Sequence, residues 1–227
     1  MATKTYINMI NRIQDELVNE SLTVAQIKNA IGSAISDYEN VTFFFNVKYG
    51  TASAPTFTTV SGQEYYTVTD QADIPNIVKI VSASTTVSGY NSPLYSRDYA
   101  WIDANQTGLA TGSPQYYAYF AQSIRLYPIP DAAYKVNLDY TYKFADLVAD
   151  ADTNAWMNDG EEMIRQAAKY RIAMDILHVD DIAGRCRRME IDAYDGLLEE
   201  NRNRWPDPRL AMPDILNRNS YNILRGY

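Results

Sequence analysis

The chain has one cysteine, one histidine, no unbroken apolar run of the ~18 residues a membrane span needs, and no glycine-rich phosphate loop. Each shortage excludes something. A lone cysteine, Cys186, rules out an internal disulfide and suits a reducing cytosol. A lone histidine, His178, cannot build a histidine-rich metal site. The opening residues Met1 to Lys4 lack the apolar core of a signal peptide, so no membrane association is expected. Neither Gly-x-Gly-x-x-Gly nor Gly-x-Ser-x-Gly occurs, so nothing signposts nucleotide binding or a nucleophile elbow.

What is present is acidic and rich in tyrosine. The net charge of −8 argues against wrapping nucleic acid, because that needs many cations against phosphate. The charge is unevenly placed. Residues 1–200 hold fifteen basic and twenty-six acidic side chains, a formal −11; residues 201–227 hold five arginines and two aspartates, +3. That asymmetry favours attraction between the C-terminal end and a neighbouring surface. Nineteen tyrosines stand beside six phenylalanines and three tryptophans. Tyrosine combines apolar area with a hydroxyl that tolerates wetting, which suits edge strands and subunit interfaces.

The hydrophobic pattern divides the chain. Tyr6, Ile10, Ile13 and Leu17 recur at helical spacing, and Val24, Ile27, Ile31, Ile35 and Tyr38 make a second stripe behind a Thr23/Gln26 capping box. These predict a helical hairpin. Val41 to Tyr49 is β-branched and aromatic, and its Phe43-Phe44-Phe45 run suits a segment covered on both sides or a corner between helices and sheet. From there to Leu147, turn residues punctuate strand-like runs. Ser123–Tyr127 and 133–142 predict a β-hairpin across Pro128-Ile129-Pro130-Asp131, with Tyr134, Val136, Leu138, Tyr140 and Tyr142 on one face. Residues 96–106 predict a short helix capped by Ser96. Met163, Ala167, Tyr170, Met174 and Leu177 then form a wide helical stripe behind an Asn158 cap, followed by Ile182, Cys186, Met189, Ala193 and Leu197. The expected fold class is α+β. Residues 1–40 and 150–205 form a helical bundle, 41–149 an inserted antiparallel β-rich domain, and 206–227 an extended C-terminal tail.

Candidates for chemistry are few. Asp150 and Asp152 could act as acid and base or hold calcium. The sixth position counted from Asp150 is Ala155, however, where a calcium loop needs glycine. His178 and Cys186 lack any flanking nucleophile signature. Neither a metal nor a cofactor is expected. Arg185, Arg187 and Arg188 form a basic stretch, read either as ion pairs with Asp181 and Asp192 or as a patch for an acidic partner.

Several segments together resemble the head–tail adaptor proteins of short-tailed bacteriophages, of the head-completion or tail-tube gatekeeper type. They are the helical hairpin running into Phe43-Phe44-Phe45-Asn46, the Arg125-to-Asp131 turn, the Val136-to-Tyr140 strand, the acidic Asp150-to-Thr153 connector and the helix from Glu161 to Tyr170. The resemblance implies a structural virion protein without enzymatic activity, assembled in the host cytoplasm and placed at the head–tail junction. It implies a ring, a dodecamer, docked under the portal protein. Tail nozzle or tail fibre proteins would bind it, and genomic DNA would pass through without sequence-specific binding. Its tail would extend along a neighbour or the portal, which makes Arg202, Arg204, Trp205, Arg209, Arg218, Tyr221, Arg225 and Tyr227 the candidate contact residues. A tail-associated hydrolase using Asp150, Asp152 or His178, and a DNA-binding assembly protein using the arginines, are the alternatives.

Overall fold

The computed structural model describes residues 4–17, 22–106 and 110–204. Its helices are α1 (Tyr6–Leu17), α2 (Val24–Tyr38), α3 (Tyr99–Asn105), α4 (Ala155–Asn158), α5 (Glu161–Ile172) and α6 (Asp180–Arg204). Its strands are β1 (Val47–Tyr49), β2 (Phe57–Thr58), β3 (Tyr65–Tyr66), β4 (Ile77–Val87), β5 (Tyr90–Pro93), β6 (Tyr95–Ser96), β7 (Tyr116–Phe120), β8 (Ser123–Tyr127) and β9 (Lys135–Tyr142). The fold is α+β. The chain divides into two compact units: residues 1–46 with 144–227, and residues 47–143.

In the helical unit most of the predicted stripe residues face the core, but Val24, Met174 and Met189 are exposed. Tyr6, Met9, Ile10, Ile13 and Leu17 of α1 are buried, as are Ile27, Ala30, Ile31 and Ala34 of α2. The capping box forms: the Gln26 amide donates to Thr23 Oγ1 at 3.3 Å and the Thr23 amide to Gln26 Oε1 at 2.9 Å. Such a cap is worth ~1 kcal/mol. The acidic connector secures the other end of this hairpin. The Tyr6 and Ile7 amides, left open at the start of α1, donate to the carbonyls of Asp152 (2.8 Å) and Asp150 (3.0 Å).

Helix α5 is the axis of the unit, with nine of its twelve residues buried, including Glu161, Arg165, Gln166 and Lys169. Residues on every side of it are covered, which fits the wide stripe. Its start differs from the expectation. Asn158 does not cap it; Asn154 caps the separate turn α4 by accepting from the Met157 amide at 3.3 Å, and α5 begins only after Gly160. A Cβ at Gly160 would sit 3.1 Å from the Trp156 ring, a tight contact that glycine avoids. The far end of α5 widens into a π-helical turn, Ala173–Leu177, closed by His178 at φ 54°. The chain then reverses into α6.

The phenylalanine run also belongs with the helices rather than with strands. Phe43 is fully buried, stacked on Phe45 at 5.2 Å and edge-on to Trp156 at 5.7 Å. Asn46, itself fully buried, ties the turn by accepting from the Phe43 amide and donating to the Val41 carbonyl, both at 2.8 Å. Three bulky rings in sequence cannot all face one side of a strand; here a turn sends them around a tryptophan.

The β unit holds two sheets around one core. One has the order β1-β9-β4-β5, with β2 also on β9; the other runs β3-β8-β7-β6. Phe57, Tyr66, Ile77, Leu126, Val136 and Leu138, from both sheets, share that core. The expected hairpin across Pro128–Asp131 is not made, because β8 and β9 lie in different sheets. Two prolines there lack the N–H that would extend a ladder, and the segment crosses between sheets. Strand β8 instead forms its hairpin with β7, turned by Ala121 (φ 48°) and Gln122 (φ 58°). Two positive φ values mark the primed turn that matches strand twist, although neither residue is the usual asparagine or glycine. Strand β9 shows the predicted buried face, Val136, Leu138 and Tyr140, but Asn137 and Thr141 on the other face are buried too. A strand in the middle of its sheet is covered where an edge strand would be wet. Helix α3 starts after Asp98, not Ser96, and buries Ile102.

Candidate interaction surfaces

Helix α6 carries the described part of the basic stretch, and its arginines are not equivalent. Arg187 donates to Glu190 at 2.6 Å and lies 5.5 Å from the Tyr170 ring centre. Burial alone would lower its pKa; the hydrogen bond and charge of Glu190 outweigh that and hold the guanidinium above its ordinary value. Tyr38 also donates to Glu190, and burial first, then this carboxylate, raises its hydroxyl pKa. Arg185 and Arg188 are exposed, and among the described residues the expected pairs with Asp181 and Asp192 are not formed. Side chains one helical turn apart on a wet surface gain only ~0.5 kcal/mol by pairing, too little to hold them.

At the end of α6, Arg202 is exposed. Arg204 pairs with Glu200 at 2.5 Å and lies 4.0 Å from the Phe44 ring centre. Asn201 fastens this end to the aromatic corner, accepting from the Phe44 amide at 2.5 Å and donating to the Thr42 carbonyl at 2.8 Å. Trp205, Arg209, Arg218, Tyr221, Arg225 and Tyr227 lie outside the described residues.

The residues proposed for chemistry have structural occupations. Asp152 accepts from the Val148 and Ala149 amides at 2.8 and 2.7 Å, which hold its carboxyl below the usual range. Asp150 pairs with Lys28 at 2.9 Å. His178 places Nδ1 2.9 Å from the Met174 carbonyl. Cys186 is buried, and burial pushes its thiol pKa up, away from the reactive thiolate. Among the described residues no His/Cys/Asp/Glu group is placed to hold a metal. No helix there is long and apolar enough to cross a membrane.

Two arrangements were not anticipated. The first is an ion network inside the helical unit. Arg165, 5% exposed, pairs with Glu16, Glu162 and Glu161; Glu161 also takes Arg12 at 2.8 Å and Lys4 at 3.2 Å, and Lys169 reaches Glu16 at 2.8 Å. The signal was in the sequence: Glu161, Arg165 and Lys169 recur at steps of four, the spacing of one helix face.

The second is an aromatic surface on the β unit. Arg125, 5% exposed, pairs with Glu64 and Asp103 and reaches Gln106 at 3.1 Å. Its guanidinium lies 4.6 Å from the Tyr99 ring and 5.3 Å from Tyr65. Those two hydroxyls are 3.0 Å apart, and burial with this bond pushes the Tyr65 pKa up to about 12. Phe120 is 65% exposed beside them. Four edge strands expose a tyrosine, Tyr49 on β1, Tyr90 on β5, Tyr65 on β3 and Tyr95 on β6, whereas β2 buries its only aromatic, Phe57. An edge strand presents unpaired amides and carbonyls, and large exposed aromatics beside them suit a partner surface.

A two-unit α+β chain of this kind, with its buried charges engaged in packing and its aromatics displayed at sheet edges, has the features of an assembly protein. The comparison with known families places it among them. The model of the SU10 adaptor protein family matches residues 4–214, and the chain belongs to that family. It is therefore a bacteriophage adaptor, a structural component of the virion. No curated protein matches the sequence.

Proposed function

We propose that the chain is one subunit of a closed ring, a dodecamer, that docks under the portal of a short-tailed phage and joins capsid to tail at the head–tail junction. The ring assembles in the host cytoplasm, lines or extends the DNA channel, and lets genomic DNA pass without sequence-specific binding. Tail nozzle or tail fibre proteins bind the β unit. Family membership over residues 4–214 is the observation that carries this reading. The body of −11 supports passage of DNA without adhesion, since like charge repels the phosphates. Exposed tyrosines on the edge strands β1, β3, β5 and β6 supply contact area on the β unit.

The arginines at 202, 204, 209, 218 and 225, with Trp205, Tyr221 and Tyr227, form the attachment to the portal or a neighbouring subunit. Co-sedimentation of the chain with its portal tests this. Replacing the five arginines with glutamine is expected to abolish docking while leaving the circular dichroism spectrum unchanged. Docking at full affinity by that variant would sink the tail assignment.

A further inference from the structure

The outward face of α6 carries its charge in two blocks. Arg185 and Arg188 stand on it in the first half of the helix, and Asp192, Asp195 and Glu199 in the second, all exposed. With 3.6 residues per turn these five positions stay within about 40° of one line along the helix. The blocks are arranged about Glu190, which is buried on the opposite side. Counted outward from it, Met189 answers Ile191, Arg188 answers Asp192, Arg185 answers Asp195 and Gly184 answers Gly196.

Two features of this face serve nothing inside the chain. Gly184 and Gly196 lie within the helix, where glycine is weaker than alanine. A Cβ at either would have nothing within 4 Å, so no packing in the described chain asks for glycine there. Neither has a positive φ that would require it. Met189 and Ile191, apolar and next to the centre of the pattern, are 43% and 36% exposed.

We propose that α6 pairs with α6 of a second copy of the chain, antiparallel about a two-fold axis level with Glu190. At 1.5 Å per residue Arg185 and Asp195 lie about 7.5 Å on either side of that axis. The arginine block of each copy then faces the carboxylate block of the other, +2 against −3. Arg185 comes over Gly196 of the other copy and Asp195 over its Gly184, and the missing Cβ atoms let the helices approach. Met189 and Ile191 each meet their own counterpart on the two flanks. At the outer ends Asp181 meets Glu199, and Arg202, one turn further on, offsets that repulsion. A parallel pairing would set arginine on arginine, and a partner of one charge sign would meet half of the face with like charge. A two-fold contact satisfies itself, whereas neighbours in a cyclic ring meet through two different surfaces. The pairing therefore belongs to the chain before it docks and goes beyond the ring proposed above.

The test is sedimentation velocity on the full chain alone. A dimer is expected at low salt, and because exposed ion pairs are individually weak and screened it should dissociate as salt is raised. One variant carries Arg185→Glu with Arg188→Glu, and another Asp192→Lys with Asp195→Lys. Each should dimerise at least tenfold more weakly than the natural chain, since each now meets its own charge. An equal mixture of the two should recover the dimer, because the all-acidic face of one complements the all-basic face of the other. Gly196→Gln should weaken the dimer tenfold or more while the thermal midpoint stays the same or rises, which separates lost pairing from lost folding.

A natural chain that is monomeric at low salt overturns the proposal. Dimers that survive both charge variants overturn the assignment to α6. Variants that are monomeric alone and stay monomeric when mixed overturn the antiparallel arrangement. None of these outcomes touches the ring, which co-sedimentation with the portal judges separately.

Discussion

Each unit buries one arginine to the same extent, but they surround it differently. Arg165 in the helical unit and Arg125 in the β unit are both 5% exposed. Around Arg165 the carboxylates come from α1 and α5, and the aromatic corner of Phe43, Phe45 and Trp156 is turned inward. Around Arg125 one carboxylate, Asp103, is more than half exposed, and Tyr65, Tyr99 and Phe120 are at the surface. The helical unit uses its charges and rings to hold itself together. The β unit turns the same residue types outward.

That contrast can be broken by mutation. The largest expected effect is Arg165→Met, which removes the most buried cation of the network and leaves Glu161 and Glu16 to the more exposed Arg12 and Lys4 and to Lys169. It should destabilise the helical unit by about 3–5 kcal/mol, read as a lowered urea midpoint in far-UV circular dichroism. Arg125→Met should have a smaller effect, about 1–3 kcal/mol, because Asp103 regains water. Equal losses from the two variants would erase the distinction between the units.

Acid should weaken both units in the same direction. Burial works to raise the Glu16 pKa, but hydrogen bonds and charge from Lys169 and Arg165 outweigh it and hold the carboxyl below its ordinary value. Asp73 is likewise lowered overall, by Lys48 and Tyr140 against burial. A carboxyl lowered by folding stabilises the protein above its unfolded pKa, about 4, and that stabilisation is lost as pH falls through the folded value. Urea midpoints between pH 5 and 2 should therefore fall, less steeply in Glu16→Gln than in the natural chain. A Glu16→Gln protein with an identical pH profile would contradict the role given to the network. The smallest effect on stability is expected from Phe120→Ser, within about 0.5 kcal/mol, alongside a measurable loss of binding to the tail partner.

The helices were legible because their signals are local. Stripes at steps of three and four and the Thr23/Gln26 box need no knowledge of the rest of the chain. The β unit was legible as strands but not as a topology. Pairing β8 with β9 looked natural from their nearness in sequence, yet the turn that gives β8 its hairpin partner is Ala121-Gln122, where no glycine or asparagine announces it. The Phe43–Phe45 run was ambiguous for a similar reason: what decides it is Trp156, more than a hundred residues away. The arginines of α6 were visible as a cluster. Which are engaged was not, since Arg187 is fixed by Glu190 together with Tyr38 from another helix.

Electron cryomicroscopy of the full chain mixed with its portal protein tests the central claim most directly. The account predicts a closed ring beneath the portal, with the 205–227 segment at a subunit or portal contact and the β-unit edges left for the tail. A chain that stays monomeric beside fully assembled portals would contradict it.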